Sequence, residues 1–132
     1  MLKHILTVPA FMIVTFAAQG LSHFVINKEH FDAIAFTRPE PIMPLGFTVM
    51  IIQGLILSYA LASWRGKAVT LRDGVMISLA FGLFLVAYVA LTEPAKYAVP
   101  SIPDWMVIEG TVGLVQFAVF GLALGFIHRR FA

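Results

Sequence analysis

The chain has 132 residues, of which 60% are hydrophobic, and it carries a formal net charge of +2 with no cysteine. A soluble domain is about 45–50% apolar, and a domain this small cannot bury such an excess, so the composition indicates a membrane protein. The lack of cysteine excludes disulfides, thiol nucleophiles, iron–sulfur clusters and thiolate metal sites. The basic residues are scattered along the chain, which argues against nucleic acid as a partner.

Four long apolar segments follow one another, and each has about the 20 residues that a helix needs to cross a bilayer. None shows the alternation with period two that is typical of barrel strands, so all four are predicted to be transmembrane helices. The predicted helices are Ile5–Ile26, Leu45–Trp64, Asp73–Thr92 and Trp105–Ile127. The fold class is therefore all-α, a four-helix transmembrane bundle formed by residues 1–132 as a single transmembrane domain.

The first segment has the apolar character of a signal peptide, with Lys3 ahead of it. A cleavage site after Ala17 or Ala18 fits the small-residue pattern of such sites poorly. We therefore interpret the segment as a retained anchor and span.

The loops after the first and third segments share a pattern. The first contains "HFDAIAF", which is apolar enough to lie in the membrane interface, followed by the proline-rich "TRPEPIMP". Both loops open with polar residues and close with prolines ahead of the next helix. This pattern suggests two tandem helical hairpins, formed by the first and second helices and by the third and fourth.

The charges are distributed unevenly over the loops and ends. Six of the nine basic residues lie at the two termini and in the middle loop, accompanied by one acid, Asp73. The other two loops hold the remaining basic residues and most of the acids. Because basic residues concentrate on the cytoplasmic side, both termini are predicted to be cytoplasmic, in a multi-pass protein of the bacterial inner membrane.

Polar residues inside the segments recur at helical spacing, so each helix is expected to turn one polar face towards the bundle interior. At about 1.5 Å per residue, Gln53 and Gln116 lie near the midplane, and His23 and Glu109 lie about 10 Å towards the outer side. The predicted intramembrane polar cluster, a candidate binding or structural site, comprises Gln19, His23, Gln53, Glu93, Glu109 and Gln116.

Several roles are open for this cluster. Its members could hydrogen-bond across helices, or line a cavity for an ion, a proton or a small polar solute. His23 with Glu93 or Glu109, and His30 in addition, could bind a metal, and His23 with Glu109 could act as acid and base. Without a ligand-spacing or nucleophile motif, no metal, cofactor or catalytic residue is predicted. We expect His23 to approach Glu109, and Glu93 could pair with Lys96.

The fourth segment also contains small residues on a separate face. Gly121 and Gly125 form the GxxxG motif "GLALG", and Gly110 lies on the same side. Small residues allow close approach of helix backbones in membranes. This predicted helix-packing face could serve a neighbouring helix of the same chain, a homodimer or a larger membrane complex.

The part of the chain from Arg38 to Ile127 resembles a loose group of small bacterial proteins with four membrane spans. The similar stretches are "RPEPIMP", "LRDG" and "IEGTVGLVQFAVFGLALGFI". The resemblance implies a four-helix membrane fold, implies no activity, and does not include His23.

Taken together, these features favour a non-enzymatic role. The predicted function is that of an accessory or assembly subunit that binds protein partners, itself or lipid through its helix faces. The expected partners are the lipid bilayer and either a homo-oligomer or a larger membrane complex. The alternative is an oligomeric transporter or channel for an ion or small polar solute, and the third is a membrane-embedded enzyme that depends on a metal or lipid.

Overall fold

The computed structural model describes residues 1–132, which are 82% helical and contain no strand. The helices are α1 (Leu2–Leu21), α2 (Lys28–Asp32), α3 (Met43–Arg65), α4 (Leu71–Ala87), α5 (Glu93–Lys96) and α6 (Ile102–Arg130). Two π-helical turns, Ser22–Ile26 and Tyr88–Thr92, extend α1 and α4. Four continuous helical stretches are thus long and apolar enough to cross a membrane, which confirms that part of the prediction: Leu2–Ile26, Met43–Arg65, Leu71–Lys96 and Ile102–Arg130.

Local chemistry explains the short connection between α3 and α4. α3 ends at Arg65 and is followed by the capping residue Gly66, whose φ of 58° lies in the range that favours glycine. α4 begins with a capping box, because the Thr70 hydroxyl accepts from the Asp73 N–H at 3.2 Å and the Asp73 carboxylate accepts from the Thr70 N–H at 2.8 Å. Arg65 Nε lies 2.9 Å from the other Asp73 oxygen, so an ion pair joins the end of α3 to the start of α4.

The long helices pack unequally. α6 makes its most extensive contact with α4 and also packs against α1, which in turn packs against α3. The pairs α1 with α3 and α4 with α6, which are consecutive long helices, are therefore in contact, as an arrangement of two hairpins requires. α3 and α4 touch much less, so the bundle is least closed between them. The main apolar core consists of Phe11, Met50, Leu57, Leu61, Val69, Phe117, Phe120 and Leu124.

Glycines set the close contact between α4 and α6. A Cβ on Gly74 would lie 2.4 Å from the carbonyl oxygen of Gly121 and 2.4 Å from the nitrogen of Gly125. The two glycines of the GxxxG motif thus face another helix of the same chain, which was one of the open alternatives. Gly110, the third member of the predicted helix-packing face, takes no part in this contact, since a Cβ at that position would meet nothing within 4 Å.

The outside of the bundle is apolar. Large side chains such as Phe84 and Ile13 are 84% and 68% exposed, and similar residues occur on every long helix. Soluble monomers rarely expose contiguous apolar patches of more than a few hundred Å². If lipid hydrocarbon surrounded the bundle, the free-energy cost of exposing these side chains to water would not arise.

Candidate functional site

Two of the predicted cluster residues meet at the contact between α1 and α6. Gln19 Nε2 donates to Gln116 Oε1 at 2.8 Å, and Gln116 Nε2 donates to the Thr15 hydroxyl at 3.1 Å. Gln116 is buried, with 5% of its surface exposed. Helical spacing placed Thr15 and Gln19 on one face, and this face meets α6. The chain of amides cross-links the two helices in the apolar interior.

His23 does not form the expected pair with Glu109. Its Nδ1 lies 2.9 Å from the Gln19 carbonyl oxygen, and its ring stacks on Phe31 of α2 with centroids 3.6 Å apart. A carbonyl only accepts, so Nδ1 carries the proton and Nε2 keeps its lone pair. The physical reason is local, because the π-helical turn that begins at Ser22 carries His23 towards α2.

The two carboxyl groups of the cluster have no partner within the chain. Neither Glu93 nor Glu109 makes an ion pair or a side-chain hydrogen bond, since the only ion pairs are Lys28–Asp32 and Arg65–Asp73. Lys96 Nζ donates instead to the Tyr88 hydroxyl at 2.7 Å, so the possible pair with Glu93 is not formed.

No preformed metal site accompanies these groups. No three or more His, Cys, Asp or Glu side chains are arranged to hold a metal ion. The His30 ring lies 6.0 Å from the ring of Trp105, and its Nε2 is buried without a hydrogen-bond partner. Trp105 in turn donates from Nε1 to the Val89 carbonyl at 3.0 Å, which ties the start of α6 to the π-helical turn after α4.

Gln53, the remaining member of the cluster, lies apart from the others. It lines a groove of about 300 Å³ between α3 and α4, and its side chain makes no hydrogen bond in the chain. The other lining residues are apolar: Ile56, Leu57, Phe81, Phe84, Leu85 and Phe117. The predicted cluster therefore does not form a single site: Gln19 and Gln116 bond to each other, His23 contacts Phe31, the two carboxyl groups have no partner, and Gln53 lines this groove.

Sequence reasoning missed a second polar cluster, at the opposite end of the bundle. Ser58 Oγ lies 2.8 Å from His4 Nδ1 and 2.8 Å from His128 Nε2, and it reaches the Thr7 hydroxyl at 3.3 Å. Ser58, Thr7 and His128 are fully buried. The signal was present in the spacing, since His128 follows the buried Leu124 by four residues and so shares its face.

The protons of this second cluster can be assigned in part. The Thr7 hydroxyl donates to the Lys3 carbonyl at 2.8 Å, so towards Ser58 it can only accept. The other nitrogen of His128, Nδ1, is buried without a partner. A buried N–H without an acceptor is costly, so Nε2–H donates to Ser58 and Nδ1 keeps a lone pair. Because Ser58 is inaccessible, we assign this cluster to holding α1, α3 and α6 together.

The fold and these contacts define an all-helical protein with four candidate membrane spans, whose helices are joined by buried hydrogen bonds and close glycine contacts. No protein-family model, curated protein or solved structure matches the chain.

Proposed function

We propose that this protein is an accessory or assembly subunit of a membrane complex, which binds a partner helix through the groove between α3 and α4. The observation that carries the proposal is Gln53, an amide that lines an apolar groove and has no hydrogen-bond partner in the chain. The partner is a second copy of the chain or another membrane protein.

The other two glutamines of the predicted cluster support this proposal by contrast. Gln19 and Gln116 bond to each other at 2.8 Å, whereas Gln53 finds nothing comparable on α4. In a bilayer no water is at hand to satisfy such a group, and amides in membrane helices hydrogen-bond across helix interfaces. A partner helix in the groove would supply both the missing bond and the missing apolar contacts.

The proposal also includes the location of the protein and its orientation in the membrane. We place it as a four-helix transmembrane bundle in a bacterial inner membrane, with both termini and the loop between α3 and α4 in the cytoplasm. The support is the charge distribution, since six of the nine basic residues and a single acid lie at that end.

Cross-linking tests the association. The chain has no native cysteine, so a single Phe84→Cys reports on the groove without background. We expect oxidant to cross-link Phe84→Cys to a second copy, or to a partner carrying a nearby thiol. Adding Gln53→Leu should lower the association constant about threefold, the effect of one lost membrane hydrogen bond of about 0.6 kcal/mol, and should reduce the cross-linked fraction accordingly.

Ile13→Cys on α1 is the matched control, since Ile13 is also exposed and lies outside the groove. It should not cross-link. Gln53→Leu should leave the melting temperature of the isolated chain unchanged, because Gln53 has no partner there. If neither self-association nor the recovery of co-purifying proteins depends on Gln53, the proposed association face is wrong.

A second candidate function is transport of a cation or proton by an oligomer of this chain. The observation that favours it is the unpaired state of Glu93 and Glu109, since ionisable groups inside a bilayer are costly and are often functional. His23, with Nε2 free, is the third polar group on the outer side of the bundle.

Flux measurements in vesicles containing the purified protein test this candidate. We expect Glu109→Gln and Glu93→Gln each to abolish the flux of protons, Na⁺ or K⁺ that the wild type supports, because the neutral amide cannot bind a cation by charge. Glu40→Gln, which alters an exposed acid of the first loop, should leave that flux intact. A wild-type protein that moves none of these ions would rule the transport role out.

A further inference from the structure

The end of the bundle that holds both termini has an excess of positive charge that the chain itself cannot neutralise. Its only acid, Asp73, is engaged by Arg65 at 2.9 Å and by the capping bonds of Thr70. The basic residues at this end that form no ion pair are Lys3, Lys67, Arg72, Arg129 and Arg130.

Two of these residues, Arg129 and Arg130, line a groove. The groove has a volume of about 420 Å³ and lies between the start of α4 and the last turn of α6. Its remaining walls are Leu71 and Phe126, which are 39% and 59% exposed. Neither guanidinium forms an ion pair, and that of Arg130 lies 5.7 Å from the ring centroid of Phe131.

The groove thus has a cationic end and an apolar wall. Phe126 precedes Arg129 and Arg130 by three and four residues, so all three lie on one side of α6, with Phe126 nearer the middle of the helix. A ligand that follows this surface needs an anionic group at the end of the helix and a hydrocarbon part beside Phe126. Arginine binds phosphate oxygens through a planar fork of N–H donors, which an ammonium group lacks.

We propose that this groove binds the headgroup of an anionic phospholipid, with the phosphate between Arg129 and Arg130 and an acyl chain along Leu71 and Phe126. Basic pockets between membrane helices recognise acidic lipid headgroups in this way. The site requires that this end of α6 lies at a membrane surface, and it is separate from the association through Gln53. Free phosphate has the same oxygens for the two arginines but no hydrocarbon part that could contact Leu71 and Phe126.

Lipid binding to the full-length protein in detergent tests the proposal, with bound lipids counted by native mass spectrometry. The probes are phosphatidylglycerol, the zwitterionic phosphatidylcholine and inorganic phosphate. We expect the wild type to retain phosphatidylglycerol in preference to phosphatidylcholine and to bind no inorganic phosphate. R129Q/R130Q should weaken phosphatidylglycerol binding about tenfold or more, the combined effect of two cationic contacts with an anionic lipid.

The matched control is K3Q/K67Q, which removes the same charge from the same end but from residues that do not line the groove. We expect K3Q/K67Q to retain most of the phosphatidylglycerol binding of the wild type. An equal loss in both double variants would overturn the proposal, because it would reduce the effect to general surface charge. Tight binding of inorganic phosphate, or equal retention of both lipids, would likewise overturn the assignment to a lipid. Melting temperatures near that of the wild type would show that both double variants fold.

Discussion

Gly74→Ala is expected to lower the free energy of unfolding by about 3 kcal/mol, at the upper end of the usual cost of overpacking. The new Cβ would lie 2.4 Å from the Gly121 oxygen and 2.5 Å from the Gly125 Cα. All of these neighbours are backbone atoms of α6, so no side chain can turn aside to make room. Relief requires separating α4 from α6, which form the most extensive helix contact in the molecule. Unfolding in mixed micelles with increasing denaturing detergent measures the effect.

Gly110→Ala is the control for this substitution. Gly110 lies on α6 as well, but a Cβ there would meet nothing within 4 Å. Alanine is a better helix former than glycine by about 1 kcal/mol, so Gly110→Ala should be neutral or slightly stabilising. If Gly74→Ala unfolded at the same detergent fraction as wild type, the close backbone contact between α4 and α6 would be excluded.

Ser58→Ala is expected to destabilise the protein by about 1–3 kcal/mol, the cost of leaving buried polar groups without partners. The hydroxyl accounts for the only side-chain hydrogen bonds of His4 and His128, each at 2.8 Å. His128 is fully buried and its Nδ1 already lacks a partner, so the substitution would leave its whole imidazole unsatisfied. The same unfolding measurement in mixed micelles applies.

Two further variants separate this effect from a loss of packing. Ser63→Ala removes an exposed hydroxyl from the same helix and should leave the free energy of unfolding unchanged. Adding His128→Phe to Ser58→Ala replaces both partners by apolar groups, and the pair should cost less than the sum of the single changes. Strictly additive costs would mean that the Ser58–His128 bond contributes nothing to stability.

The polar residues of the site show how far the sequence-based reasoning reached. Helical spacing placed Thr15 and Gln19 on one face, and α6 meets that face through Gln116. The expected approach of His23 to Glu109 rested on their similar depth along the helices. The depth of a residue gives its position along the helix axis, but it does not give the direction in which the side chain points around that axis. The π-helical turn after α1 and the ring of Phe31 decide the direction of His23, and neither is visible in the spacing.

Gln53 and Ser58 illustrate the same limit on a single helix. Both lie on α3, five residues apart, yet Ser58 is fully buried against α1 and α6 while Gln53 lines an open groove. The sequence placed Gln53 inside the bundle because polar groups avoid lipid. Its actual position follows from the slight contact between α3 and α4, which depends on the packing of the whole bundle.

The sequence by itself determined the number of long helices and their approximate extent. Helical hydrogen bonds join residues close in sequence, and about 20 apolar residues are needed for each helix to cross a bilayer. The number of long helices and their extent therefore follow from the order of residues alone. Only the tertiary structure decided which faces meet. If lipid surrounds the bundle, the outside is as apolar as the core, so an apolar pattern does not distinguish the two. Glycine contacts such as Gly74 with Gly121, and the shared hydroxyl of Ser58, select the packing, and both require two helices to be in place.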